Sequence, residues 1–480
     1  MNYSFKTKPF AHQLTALENS WDKEEYALLM EMGTGKSKVL IDNMAMLFDK
    51  GRIDGALIIA PKGVYRNWDR QEIPVHMPEH VDHVSTPWKP SPRKAEKAAL
   101  ENILFPDVSK LRILVMNVEA FSTKKGVDFA ARFLSTGKMF MAIDESTTVK
   151  NASAKRTKSI VKLSQLARYR RIATGSPITQ SPLDLYAQFY FLNKHILGFQ
   201  GYHSFKQRFA VTLRRSNGAH FYDQVIGYQN LDELTQSIKP YSYRALKEHC
   251  LDLPEKIYTK REVTLTKEQE DAYKEMKAYA MTVLETGEEV SVTQVITQLL
   301  RLQQIACGFV KTDDDEIVEI KSNRIEELKN VIDETSGKVI IWATWRYDIQ
   351  RIERELAKAY GPEAVKTFYG DTPADKRQDI VEEFQNPDSK LRFFVGNPTT
   401  AGYGLTLTQA HTVVYYSNNY NLEVRLQSED RAHRIGQKNN VTYVDLYVPG
   451  TVDEMIFKAL IEKKSLADEV LEEKWRQWLK

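Results

Sequence analysis

The chain has 480 residues, 42% of them hydrophobic and 27% charged, with a formal net charge of +3. That length exceeds what one core usually serves, so two domains are expected, and the composition excludes a disordered or fibrous chain. The charge is too small to argue for a polyanionic partner by itself. No apolar run reaches bilayer thickness, Met1-Asn2-Tyr3-Ser4-Phe5-Lys6 lacks the apolar core of a secretory signal, and Cys250 and Cys307 form neither a metal-ligand spacing nor a disulfide framework. A cytoplasmic setting without membrane attachment is expected.

In chain order, Gln13 comes first, a short way upstream of an apolar run. Its amide donates and accepts at once, which suits an adenine edge. The run Ala27-Leu28-Leu29-Met30 leads into Glu31-Met32-Gly33-Thr34-Gly35-Lys36-Ser37, which reads as a strand, a glycine turn and a helix from Ser37 to Leu47. That is the layout of a phosphate-binding loop. Gly33, Thr34 and Gly35 let the backbone curl so that N–H groups face phosphate oxygens, and the helix adds its positive end. Lys36 would sit on the β- and γ-phosphates, and the Ser37 hydroxyl would hold Mg²⁺. The plainer alternative is a glycine turn that happens to precede Lys-Ser, since Met30 stands where the usual pattern has its first glycine.

Ala56-Leu57-Ile58-Ile59-Ala60, Ile113-Leu114-Val115-Met116 and Met139-Phe140-Met141-Ala142-Ile143 are continuous apolar runs with helical stretches between them. Such runs suit strands buried on both faces of a parallel sheet, so a doubly wound α/β domain is predicted. The third run ends in Asp144-Glu145-Ser146-Thr147. Paired carboxylates at a buried strand tip call for a cation: Asp144 would orient the water shell of Mg²⁺ and Glu145 would polarise an attacking water. Favourable acids at a helix N-terminus are the alternative.

From Ser146 to Leu183 there is no Asp or Glu, but there are Lys150, Lys155, Arg156, Lys158, Lys162, Arg168, Arg170 and Arg171. A solvated basic helix explains most such runs, and a phosphate-backbone contact is the sharper account. Thr174 and Ser176, in Thr174-Gly175-Ser176-Pro177, are hydroxyls at a further strand end and could relay hydrogen bonds between sites.

Between about 193 and 333 the alternation is lost. Thr266 to Leu284 and Val292 to Ala306 read as helices of an insertion, with a solvated loop at Asp313-Asp314-Asp315-Glu316. A lobe boundary is expected near Leu253-Pro254-Glu255-Lys256, giving lobes of 1–255 and 256–480 with helical protrusions at about 193–255 and 260–320. Alternation resumes with strands at Val339–Ala343, Leu391–Val395, Thr412–Tyr416 and Val441–Tyr447 and a helix at Arg346–Tyr360. On a helix, Gln427, Arg431 and Arg434 fall at i, i+4 and i+7 and share one face. Two guanidinium groups there could meet a triphosphate. The alternative is a salt-bridged surface helix, given Glu423, Glu429 and Asp430 nearby.

Together these stretches resemble the SNF2 branch of superfamily 2 helicase-like ATPases over most of the chain. Glu31 to Ser37 is similar to motif I of that branch, which also lacks the first glycine. Ile59-Ala60-Pro61 with Trp68 resembles motif Ia, Asp144-Glu145 with Lys150-Asn151 motif II, and Thr174 to Pro177 motif III. Gly402-Tyr403-Gly404-Leu405-Thr406 resembles motif V, and Asp430-Arg431-Ala432-His433-Arg434-Ile435-Gly436-Gln437 is the most specific match. The resemblance implies an α/β chain of two RecA-like lobes with parallel sheets and helical insertions. It also implies ATP bound with Mg²⁺ between the lobes, and movement along DNA, duplex or branched, without base readout. Gln13, Gly404 and Gln427 would then join the nucleotide-binding set, with Arg431 and Arg434 reaching ATP from the second lobe. Thr174, Ser176, Lys150, Lys155 and Arg156 would couple hydrolysis to DNA.

The sequence departs from the family at Thr147, where motif II usually has His. Few residues precede Gln13 and the chain ends soon after Thr451-Val452-Asp453-Glu454, so a compact motor of viral or bacterial type is expected. It would be nucleoid-associated, or in host cytoplasm if viral, and would serve replication, recombination or repair with unknown protein partners. A strand-separating helicase and a DNA-binding scaffold with decayed ATPase are the rival readings.

Overall fold

The apolar runs become strands in a computed structural model that describes residues 3–62, 64–217, 220–285, 292–312, 314–373, 376–401 and 405–468. The chain divides into two compact units, the bulk of the first being Met1–Leu213 and Asp223–Asp252 and of the second Leu253–Lys464.

The first unit carries β1 (Glu25–Met30), β2 (Gly55–Ala60), β3 (His83–Pro87), β4 (Leu111–Asn117), β5 (Met139–Asp144), β6 (Tyr169–Ala173) and a late strand, β9 (Ser242–Ala245). Between β6 and β9, β7 (Ala210–Asn217) and β8 (His220–Tyr228) pair only with each other. The seven-stranded sheet has the order β3-β4-β2-β5-β6-β1-β9 and its pairings are parallel. Both faces are covered, as the unbroken apolar runs require. Ala27 and Leu29 of β1 enter one core cluster with Leu57 and Ile59, while Leu28 and Met30 enter another with Ala56 and Ile58. This two-residue alternation is that of a strand buried on both sides. Because β5, β6 and β1 are neighbours, their carboxyl ends adjoin on one edge, where ligands of open α/β sheets bind.

The second unit repeats the plan. Its strands are β10 (Lys256–Glu262), β13 (Lys338–Trp342), β14 (Val365–Phe368), β15 (Phe393–Gly396), β16 (Ala410–Tyr415) and β17 (Val441–Tyr447), with a separate hairpin of β11 (Phe309–Lys311) and β12 (Ile317–Glu319). The order β10-β17-β16-β13-β15-β14 is again parallel. Val339 and Ile341 face one core cluster, Ile340 and Trp342 the other.

The stretch from 193 to 333 is mixed. Its two long helices form at Lys267–Glu285 and Val292–Cys307, close to expectation, but strands β7 to β12 lie there as well. The β7–β8 pair leaves Val211, Leu213, Phe221, Tyr222 and Ile226 exposed, so no buried apolar run announces it. Strand β9 has only four residues and exists by pairing with β1 far upstream. Among the described residues no helix is long and apolar enough to cross a membrane.

Candidate active site

The phosphate loop joins β1 to the helix Lys36–Asp49, whose N-cap is Gly35. Gly33 has φ 81° and Gly35 φ 85°, left-handed conformations that glycine adopts without steric cost. A Cβ at Gly35 would lie 2.1 Å from Nε2 of Gln13, so that side chain packs directly on the loop. Gln13 Nε2 donates to Thr34 O at 2.9 Å, and His12 Nε2 donates to the same carbonyl at 2.8 Å. Gln13 Oε1 accepts from Phe10 N at 3.0 Å, closing the start of the helix Ala11–Ser20. The glutamine expected near adenine is thus also a brace for the loop.

At the adjoining strand end, Asp144 and Glu145 are each 9% exposed. Trp68 Nε1 donates to Asp144 Oδ2 at 2.9 Å. Burial pushes the Asp144 carboxyl above its ordinary range, against Lys36 and the Trp68 bond, which pull it down. Glu145 sits at φ 53°, ψ 65°, a left-handed conformation that costs a residue with a Cβ roughly 1–2 kcal/mol. That backbone turns its side chain toward the loop. Its Oε1 lies 3.9 Å from Lys36 Nζ, and Thr174 Oγ1 at the end of β6 donates toward its Oε2 at 3.5 Å. Lys36 Nζ also donates to Glu31 O at 3.4 Å.

Gly175 closes the cluster from the β6 side. A Cβ there would come within 2.9 Å of Met32 N and 3.3 Å of Glu31 C, so the turn after β6 lies flush on the phosphate loop. Ser176 enters through its backbone, its N–H donating to Thr174 Oγ1 at 3.2 Å. The cluster therefore gathers Gln13, Gly33, Thr34, Gly35, Lys36, Asp144, Glu145 and Thr174, with Ser37 in the first turn of the loop helix. Among the described residues no group of three or more His, Cys, Asp or Glu could hold a metal alone. The donor set, the buried Asp144 carboxylate at the end of β5 and the Ser37 hydroxyl in the first turn of the loop helix, fits Mg²⁺, which keeps waters and substrate phosphates as its other ligands.

In the second unit, the shared helix face for Gln427, Arg431 and Arg434 is corrected. The helix runs Leu422–Glu429 and stops before both arginines; only Gln427, bonded to Glu423, lies on it. Tertiary bonds divert the chain. Arg431 O accepts from Leu407 N, Tyr443 Oη donates to Glu429 O, and Gln437 Nε2 donates to the carbonyls of Thr408, Ala410 and Ala432. The arginines still converge, because the Nη1 group of each donates to Leu405 O, at 3.3 Å from Arg431 and 3.0 Å from Arg434. Gly404, expected in the nucleotide-binding set, lies outside the described residues.

The basic stretch splits. Arg171 is fully buried, and its guanidinium donates to Asn43 Oδ1 and to the carbonyls of Ser20, Lys23, Glu24 and Arg170, so it is a structural clasp and offers nothing to a partner. Burial pulls that guanidinium down to about 9. Arg168 and Arg170 pair with Glu24 and Glu25. Lys150 donates to Thr179 Oγ1, in the turn beyond Ser176. On the helix Lys155–Ser164, Lys155, Lys158 and Lys162 are exposed and Arg156 is half-buried. Trp68 is singled out in the sequence beside Ile59-Ala60-Pro61, but nothing there gives its bond to Asp144, and the part of His12 in bracing the loop has no signal beyond its place beside Gln13.

The SNF2-related domain family matches residues 12–309 and the helicase conserved C-terminal domain residues 323–436. YwqA of Bacillus subtilis, provisionally named an ATP-dependent helicase/translocase, is 27% identical over 462 residues, 93% of this chain and 46% of that protein. CHR12 of Arabidopsis thaliana, provisionally named an ATP-dependent DNA helicase, is 25% identical over 461 residues, 92% of this chain and 40% of that protein. The chain thus spans less than half the length of these curated relatives. The SWI2/SNF2 ATPase core of Sulfolobus solfataricus, solved with dsDNA, is 23% identical, covers 100% of this chain and 97% of that one, and has a TM-score of 0.44.

Proposed function

The chain belongs to the SNF2-related domain family, and from that premise we propose that it is a DNA-stimulated motor hydrolysing ATP to ADP and phosphate. The observation that carries this reading is the meeting of a glycine loop, its lysine and two carboxylates at the adjoining ends of β1, β6 and β5. The loop amides and Lys36 bind the phosphates. Lys36 now stands near Glu145, so an incoming γ-phosphate competes for the ammonium and releases the carboxylate for an attacking water. Glu145 accepts a proton from that water as its oxygen bonds to the γ-phosphorus and ADP leaves. Ser37 and Asp144 would hold Mg²⁺, which when bound neutralises charge developing on the transferred group. Arg431 and Arg434 supply the remaining positive charge.

DNA, duplex or branched, acts through the Thr174 hydroxyl that reaches Glu145 and through Lys150, Lys155 and Arg156, whose contacts are with phosphates and not base edges. The provisional names of YwqA and CHR12 support a helicase or translocase role, and we assign the motor to replication, recombination or repair. The test is phosphate release with no DNA and with single-stranded, duplex and branched DNA. Stimulation by duplex or branched DNA is expected; a rate indifferent to every DNA rejects the reading.

A further inference from the structure

The chain enters its second unit through Leu253, Pro254, Glu255 and Lys256; Pro254 is bonded to the turn carrying both arginines, and Glu255 and Lys256 to the residues that flank it. His433, between Arg431 and Arg434 in sequence and 6% exposed, bonds from Nε2 to Pro254 O at 2.7 Å. A carbonyl only accepts, so Nε2 carries the proton. Just upstream of Arg431, Glu429 Oε2 lies 3.1 Å from Lys256 Nζ and accepts from Tyr258 Oη at 2.7 Å, and Asp430 Oδ1 lies 3.5 Å from Lys256 Nζ. Downstream of the turn, Asn440 Oδ1 accepts from Glu255 N and Val441 N donates to Glu255 O. The entering segment is thus held before, within and after the arginine turn. Glu429 is anchored from its other side by Arg425, which also grips Asp445.

The turn is not helical, so its arginines are aimed by individual bonds and not by a rigid rod. Pro254 is a stiff anchor, its φ fixed by the ring. We propose that His433 is a positioning residue: through Pro254 it makes the aim of Arg431 and Arg434 depend on the segment joining the two units. Displacement of that segment pulls on the turn, and the hydrolytic charge partners move with it. The inference rests on the proposed ATPase reading and deepens it, because it names the connection through which movement along DNA and hydrolysis are linked. A buried histidine serving the fold alone would act on stability and leave turnover per folded molecule intact.

His433→Ala and His433→Gln separate these cases, since glutamine keeps an N–H donor for Pro254 O. The measurements are DNA-stimulated kcat, KM for ATP, affinity for a fluorescent ADP, and the thermal midpoint. For His433→Ala the expected result is a kcat lower by about tenfold or more, with KM and ADP affinity within about twofold and an unchanged midpoint. His433→Gln should recover most of the turnover. An unchanged kcat in His433→Ala, a loss explained by a lower midpoint, or a failure of glutamine to rescue would each overturn the inference. A wild-type chain that hydrolyses no ATP, with or without DNA, overturns the functional reading and the inference with it.

Discussion

In the phosphate loop, left-handed glycines and a helix N-terminus put the binding groups in place within seven consecutive residues, and Gln13, His12 and Gly175 brace what the backbone already prescribes. The arginine turn of the second unit has no such local prescription. Its helix ends at Glu429, and carbonyls from Leu405 to Ala410 together with strands β10 and β17 decide where the chain goes next. The phosphate loop is therefore stiff and locally encoded. The arginine turn is assembled from distant bonds, which makes it adjustable.

The most severe break in this contrast is Lys36→Ala, which removes the cation of the stiff half. Phosphate release should fall by ~10³-fold or more while DNA binding, followed by fluorescence anisotropy, persists. Turnover that survives would remove the loop from the mechanism. Arg434→Ala attacks the assembled half and should lower kcat by about 10²–10³-fold with little change in ATP affinity, since the charge it meets develops in transfer. An unchanged kcat would strip it of that role.

Acid tests the framework beneath the turn. Burial alone would raise the Glu429 carboxyl, but Lys256 and Arg425 hold it at about 2, well below its usual 4.5. A depressed carboxyl stabilises the fold fully above pH 4.5 and loses that contribution as pH falls toward 2, a change on the order of 3 kcal/mol. Chemical unfolding across that window should show the loss in the wild type and a shallower slope in Glu429→Gln; equal slopes would mean the carboxylate does not anchor the turn. Gly175→Ala is the mildest test. Its Cβ must push Met32 and Glu31, so kcat/KM should drop about tenfold through misplaced loop amides. An unaffected kcat/KM would show that the loop tolerates more movement than its packing implies.

The same contrast decides what could be read without coordinates. Strands such as Gly55–Ala60 and Leu111–Asn117 were legible because continuous burial leaves a continuous apolar run. The glycine loop was legible because its conformation depends on the residues that form it. The helix through Arg431 and Arg434 was misread: their spacing satisfies a helical face, and nothing local reveals Gln437 drawing the chain onto three carbonyls. Arg171 misled for a related reason, since a guanidinium that ties up backbone carbonyls is indistinguishable by composition from one that waits for phosphate. Trp68 lies 76 positions from the carboxylate it holds, and no periodicity spans that gap.

Strand β9 has a consequence for synthesis. Glu31, first residue of the phosphate loop, donates its N–H to Ala245 O, and its Oε2 accepts from Lys247 N across 216 positions. A nascent chain halted on the ribosome before Ser242 would carry the loop, Asp144 and Glu145, yet lack the strand that fastens Glu31. Vectorial translation thus delays the fastening of Glu31 until long after the loop itself has been made, so the loop's final setting waits on a completed sheet.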